Sequence, residues 1–195
     1  MIVEQTLEQE LKVAKRKSAK PMLWISMISM VMFFAGLTSA YVISMERDDW
    51  VSFDLPLAFY ISTVLIVASS ITLFLSGKFL KAGKRQLSLG FVVATLLLGI
   101  GFVWQQYVGF NELKSVGLFF TGPESTVSSS FIIGITFMHV LHLLAGLIVL
   151  LVVIYNHFKY RYKSDNMLGF ELGAIFWHFV DILWIYLFFF FYFIR

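Results

Sequence analysis

Apolar residues gather into five long blocks, at 21–45, 57–76, 87–110, 131–155 and 172–194, with short polar stretches between them. A helix needs about 20 apolar residues to cross the hydrocarbon core of a bilayer. Each block meets that length, and none shows the in–out alternation of a membrane β-barrel strand. The pattern therefore predicts an all-α integral membrane protein, a five-helix transmembrane bundle over residues 21–195. Ahead of it lies a polar head, residues 1–20, with Val3, Leu7, Leu11 and Ala14 at helical spacing. It reads as an amphipathic helix lying at the cytoplasmic interface, lysines toward anionic headgroups. A cleaved signal peptide would carry an apolar region of about 7–15 residues, shorter than the first block. The longest connection, 111–130, holds Gly117, Gly122 and Pro123 and reads as an external loop. The phenylalanine run 188–191 reads as lipid-facing or interfacial bulk rather than a cofactor box.

Charge adds an orientation. The N-terminal head carries Lys12, Lys15, Arg16, Lys17 and Lys20. Lys78, Lys81, Lys84 and Arg85 fall in the second connection, and Lys159, Arg161 and Lys163 in the fourth. Arg47, Lys114 and Arg195 fall on the other side. Basic residues are retained in cytoplasmic connections, so the N-terminus is expected in the cytoplasm and the C-terminus on the far side. The lysines follow this rule and give no ground for nucleic-acid binding. Those of the fourth connection, Lys159, Arg161 and Lys163, are candidate contacts for anionic lipid headgroups, each worth about 1 kcal/mol near such a surface. Trp50, Trp104, Tyr107, Tyr155 and Tyr192 stand near block ends, where aromatic anchors belong.

Composition agrees. Only 14% of the residues are charged, against about 25% in a soluble domain, too few to cover a surface in water. Cysteine is absent, which removes disulfides, thiolate nucleophiles, iron–sulfur clusters and cysteine-ligated zinc. The remaining candidate chemistry is a small set of ionisable groups at membrane depth, where such groups are costly and face protein or water. His139 and His142 share a face of the fourth helix, and His178 and Asp181 a face of the fifth, with Glu171 two turns earlier. At a rise of about 1.5 Å per residue, His142 and Asp181 both lie near the midplane and are expected to approach each other. Four readings follow: a metal site of imidazole and carboxylate, a bis-histidine haem site, a proton relay, or hydrogen bonding that pins the register of two helices. The last leads, because nothing marks the open coordination position that a catalytic metal needs. Small residues at helical spacing, Ala35 with Ser39 and Gly36 with Ala40, allow close helix approach.

Three motifs, in order, carry a resemblance. Met32-Phe33-Phe34-Ala35-Gly36-Leu37 is followed by Ala40-Tyr41, and the fourth helix has Thr136, His139, His142 and Gly146. The fifth has Gly169-Phe170-Glu171, then Trp177-His178-Phe179-Val180-Asp181 and Trp184. Together they resemble subunit III of the haem–copper terminal oxidases (cytochrome c oxidases and quinol oxidases), in the short five-helix bacterial form. The resemblance implies an accessory subunit with no catalytic, cofactor-binding or metal-binding residue of its own. Haem and copper are expected in partner subunits of a complex that reduces dioxygen to water and pumps protons. Implied partners are the catalytic subunit I, subunit II, a small subunit, phospholipids and a larger respiratory supercomplex. The implied location is the bacterial cytoplasmic membrane. His139, His142, Glu171, Trp177, His178 and Asp181 then form the family's buried polar cluster. The alternatives are an independent bis-histidine membrane cytochrome and a small membrane transporter. Two positions depart from the family pattern: Met30 stands where a buried glutamate is usual, and Gln106-Tyr107-Val108-Gly109-Phe110 lacks the acid of Gln-x-x-Glu-aromatic.

Overall fold

The computed structural model describes residues 2–48, 50–51, 54–120, 122, 125–160, 162 and 167–194, with side chains from Val13 onward except Lys15 and Arg16. Five helices follow in order: α1 (Ile2–Ser44), α2 (Leu57–Lys81), α3 (Arg85–Ser115), α4 (Val127–Phe158) and α5 (Leu168–Phe193). All five are long and apolar enough to cross a membrane, and no strand occurs among the described residues. The all-α membrane bundle expected from the blocks is the fold observed. The polar head is helical and continuous with the first span, Pro21 lying inside α1.

Short connections fix antiparallel neighbours. Between α2 and α3 only 82–84 intervene, and Gly83 takes a left-handed conformation (φ 74°). The Lys84 amide donates to the Phe79 carbonyl at 2.9 Å and the Gly83 amide to that of Leu80 at 3.1 Å. This Schellman arrangement satisfies carbonyls that the end of α2 would otherwise leave free. At the start of α4, Thr126 and Ser129 form a reciprocal capping box. The Ser129 and Ser130 hydroxyls donate to the carbonyls of Phe119 and Phe120 at 2.7 and 2.9 Å, tying the preceding loop to the helix.

The α2–α3 hairpin closes on a seam of small side chains. Ser62, Ser69 and Ser76 recur every seventh residue on the buried face of α2. Opposite them on α3 stand Ser88, Thr95, Gly99, Gln106 and Gly109. Small residues let helix backbones approach, and hydroxyls pair where lipid offers nothing. Ser76 meets Ser88 hydroxyl to hydroxyl at 3.0 Å, Thr72 meets Thr95 at 2.8 Å, and the Gln106 amide donates to Ser62 at 2.9 Å.

α5 packs against α1, α2 and α4, and α4 against α1, α3 and α5. Among the described residues α1 meets neither α2 nor α3, so it stands at the edge of the bundle. Met22, Trp24, Ile25, Ile28 and Met32 on it are exposed, as lipid-facing residues are. Trp104, Tyr107 and Tyr155 are more than half exposed, in keeping with a role as interfacial anchors. The run 188–191 corrects its sequence reading. Phe188, Phe190 and Phe191 are buried and only Phe189 is largely exposed. Tyr41 of α1 covers Phe190 and Phe191, its ring centroid 5.2 Å from that of Phe190 and 5.8 Å from that of Phe191, while Phe188 packs on Tyr60 of α2 at 5.1 Å.

One end of the bundle gathers basic groups. Arg85, at the start of α3, donates to the His157 carbonyl at the end of α4 and, at 3.4 Å, to that of Tyr162. Its guanidinium lies 4.1 Å from the Tyr160 ring centre. Lys20 of α1 meets Glu171, in the first turn of α5, at 2.7 Å.

Candidate functional site: the polar face of the fifth helix

α5 carries most of the polar side chains that the sequence singles out, and they engage helix by helix. Glu171 accepts the Lys20 ammonium, joining α5 to α1. Higher on the same pair, Tyr186 and Thr38 share a hydroxyl–hydroxyl bond of 3.0 Å. Toward α2 the Trp177 indole donates to Ser69 at 3.1 Å, and the Trp184 indole to Thr63 at 3.0 Å. His178 Nδ1 lies 2.6 Å from the Ser70 hydroxyl. Toward α4 the contact is steric, because Gly146 of α4, together with Gly99 of α3, makes room for the Trp177 ring. A Cβ on Gly99 would stand 2.7 Å from Trp177 Cη2, and one on Gly146 would stand 3.1 Å from Cε3.

Asp181 differs from these. It is 2% exposed and neither carboxylate oxygen has a hydrogen-bond partner among the described residues. It lines a groove between α2 and α5 together with Ser70 and His178.

The two histidines of α4 lie elsewhere. His139 is fully buried in an aromatic box, with ring centroids of Trp184, Phe102 and Phe34 at 5.2, 5.9 and 6.4 Å. Neither of its nitrogens has a hydrogen-bond partner among the described residues. The His142 ring stands 5.6 Å from Phe34, and its Nδ1 donates to the Met138 carbonyl one turn back at 2.7 Å. His142 thus faces α1, whereas Asp181 faces α2, and the structure does not pair them. Among the described residues no group of three or more His, Asp or Glu side chains converges as a metal site would require. Lys159 is exposed, with its ammonium 5.8 Å from the Tyr155 ring centre. Arg161 and Lys163 lie outside the described residues.

The full length, residues 1–195, matches the sequence profile of the family described as cytochrome c oxidase subunit III. The chain belongs to that family. Proteins named cytochrome c oxidase subunit 3 align over 135 residues, 69% of this chain. Identity is 32% in Pelomedusa subrufa, 34% in Pyricularia grisea and 29% in Tetraodon nigroviridis. The chain spans about half the length of the curated relatives it matches, 47–48% of each.

On α5, Glu171, Trp177, His178 and Trp184 each hold a neighbouring helix, so these side chains act as a set of fastenings. The hydroxyls Ser69, Ser70 and Thr63 that they meet, and Thr38 opposite Tyr186, do not figure among the sequence candidates, although Ser62, Ser69 and Ser76 show a seven-residue period. Hydroxyls are common in membrane helices, and only that period marks them. At Gly109 the packing is tight. A Cβ there would stand 2.6 Å from Phe59 Cε1, so aromatic bulk fills the space a side chain would need. Met30 is half-buried and packs against the core.

Proposed function

We propose that this chain is the accessory subunit III of a proton-pumping haem–copper respiratory oxidase that reduces dioxygen to water. It holds no redox group and supports assembly, lipid binding and proton uptake by the catalytic subunit I, in company with subunit II and a small subunit. Family membership supports the reading, and one observation carries it further. The signature side chains of α5 are engaged in joining helices, through Lys20–Glu171, Trp177–Ser69, His178–Ser70 and Trp184–Thr63. Groups committed to hydrogen bonds with neighbouring helices are structural fastenings, which is what an accessory subunit needs. A bis-histidine cytochrome would require two rings presented to one haem. Here His139 faces Trp184 and Phe102 while His178 bonds Ser70.

The test is to strip the chain from the purified oxidase. The haem spectrum and initial turnover should stay close to those of the intact enzyme, while the number of turnovers before inactivation should fall several-fold. Loss of haem with the chain would sink the reading.

The orientation belongs to the same proposal, in a bacterial cytoplasmic membrane. The end of the bundle that carries Lys20, Arg85 and the close of α4 is assigned to the cytoplasm by the positive-inside rule. Reporter fusions at Lys81 and Lys163 should give the cytoplasmic phenotype and a fusion at Arg195 the opposite one. A cytoplasmic signal at Arg195 would reverse the assignment. In the same frame, Lys159, Arg161 and Lys163 are proposed to meet anionic lipid headgroups.

A further inference from the structure

The face shared by α2 and α5 carries a furrow that the interactions inside the chain leave unfilled. Its upper part, about 460 Å³, has apolar walls that include Ile71, Phe74 and Ile182, and polar groups on Ser70, His178 and Asp181. At Phe74 and His178 it runs into a second hollow of about 280 Å³, bordered by Lys78, Lys81 and Glu171. From Glu171 to Ile185 the furrow follows α5 for 14 residues, about 21 Å at the helical rise. That length is a large share of one membrane crossing.

Two observations set the chemistry of what fills it. His178 is half-buried and lines both hollows, yet its only hydrogen bond uses Nδ1, toward Ser70. Nε2 has no partner among the described residues, and a polar atom left bare at this depth is penalised because hydrocarbon offers no hydrogen bond. Beside it Asp181 is 2% exposed, and neither of its carboxylate oxygens has a hydrogen-bond partner among the described residues. At the mouth, Lys78 and Lys81 have no ion-pair partner among the described residues. An acyl chain could fill the walls but brings no polar group to His178. A headgroup drawn to Lys78 stands eight residues from the level of Ser70, about 12 Å away. A helix of another protein meets all three demands at once.

We propose that the α2–α5 furrow seats a transmembrane helix of another oxidase subunit. Its apolar face fills the walls, one hydroxyl, amide or indole side chain pairs with His178 Nε2, and an acidic group near its cytoplasmic end meets Lys78 and Lys81. Hydrogen bonds across helices and close apolar packing are what join helices in lipid. The inference rests on the accessory-subunit reading and goes further by fixing which face the partner covers and what chemistry it presents.

The experiment uses the intact complex in native membranes, with a benzophenone amino acid placed at Ile71 or Ile182, both exposed, and at Leu97 or Trp104 on α3 as controls. Irradiation should join positions 71 and 182 to one identified oxidase subunit, with the cross-linked peptide in a membrane span, while the controls give lipid adducts. His178→Leu should lower the yield at 182 about tenfold, the effect expected of one lost hydrogen bond at this depth. His178→Gln, which keeps a donor and an acceptor, should restore most of it. Lipid adducts alone at 71 and 182, with the chain still co-purifying with the oxidase, would overturn the inference and leave the accessory reading standing. A protein adduct at both positions to a subunit of some other complex would overturn the accessory reading instead.

Discussion

Gly109→Glu should prevent this chain from accumulating in the membrane, and Phe59→Ala should restore part of what is lost. The first carbon of any side chain at 109 would stand 2.6 and 2.9 Å from two atoms of the Phe59 ring. Phe59 cannot swing aside cheaply, because it is 1% exposed and packs edge-on against Trp184 with centroids 5.7 Å apart. Overfilling such a core costs about 1–3 kcal/mol. A carboxyl pressed into the hairpin seam adds a desolvation cost of about 1–3 kcal/mol more unless it finds a partner, and the nearby Gln106 amide is already given to Ser62. The sum, about 2–6 kcal/mol, is a large share of the roughly 5–15 kcal/mol that many domains have in all. Phe59→Ala alone should cost about 3–5 kcal/mol, yet in combination it opens the space the glutamate needs. Membrane levels and thermal midpoints of the two single variants and the double variant decide the matter. A double variant no worse than Gly109→Glu alone marks coupling between the two positions. Additive losses, or normal accumulation of Gly109→Glu by itself, would refute the steric account.

The crowding at Gly109 is visible only in three dimensions, and the same holds for most of the polar site. The number of helices was legible because a bilayer crossing demands about 20 apolar residues, and five blocks meet that demand. Helix ends were less so. The second block ends at 76 by hydropathy, but α2 continues to Lys81, since a lysine near a helix end can extend its ammonium toward water. The facing of each helix was the least legible. In lipid a helix is apolar all round, so hydrophobic periodicity does not mark its inward side. His142 and Asp181 stand at similar depth, and depth was all the sequence supplied. Rotation about the two axes turns one toward Phe34 and the other toward α2. The aromatic run ending α5 misled for the same reason, since Tyr41, far away in the chain, covers Phe190 and Phe191. Charge drew notice to α5, where it marked Glu171, His178 and Asp181. The uncharged halves of the fastenings, Ser69, Ser70 and Thr63, carry no such flag.

Asp181 offers a measurement that separates what a residue does for the chain from what it does for a complex. Its oxygens find no partner among the described residues, so Asp181→Ala removes a desolvated polar group and none of the hydrogen bonds seen there. Such a change is close to neutral or stabilising, by up to about 1–3 kcal/mol. It leaves a small void, but one that opens on the groove beside Ser70 and His178. The full chain purified in detergent should therefore unfold at the same temperature as the parent or a few degrees higher. In the assembled oxidase the expectation reverses. If another subunit covers this groove and donates to the carboxylate, the variant loses a charge-assisted bond worth about 1.5–3 kcal/mol, a factor of about 10 to 100 in retention. Asp181→Asn should lie between, since an amide keeps one acceptor oxygen. Lys163→Gln, a change in a connecting loop, should leave retention near that of the parent. The informative result is the opposite sign of the two effects in one variant. A drop in the midpoint of the isolated chain on Asp181→Ala would mean that the carboxylate is held from within, by Ser70, and that the groove needs no outside donor. Unchanged retention of that variant in the complex would show that no neighbour reaches Asp181.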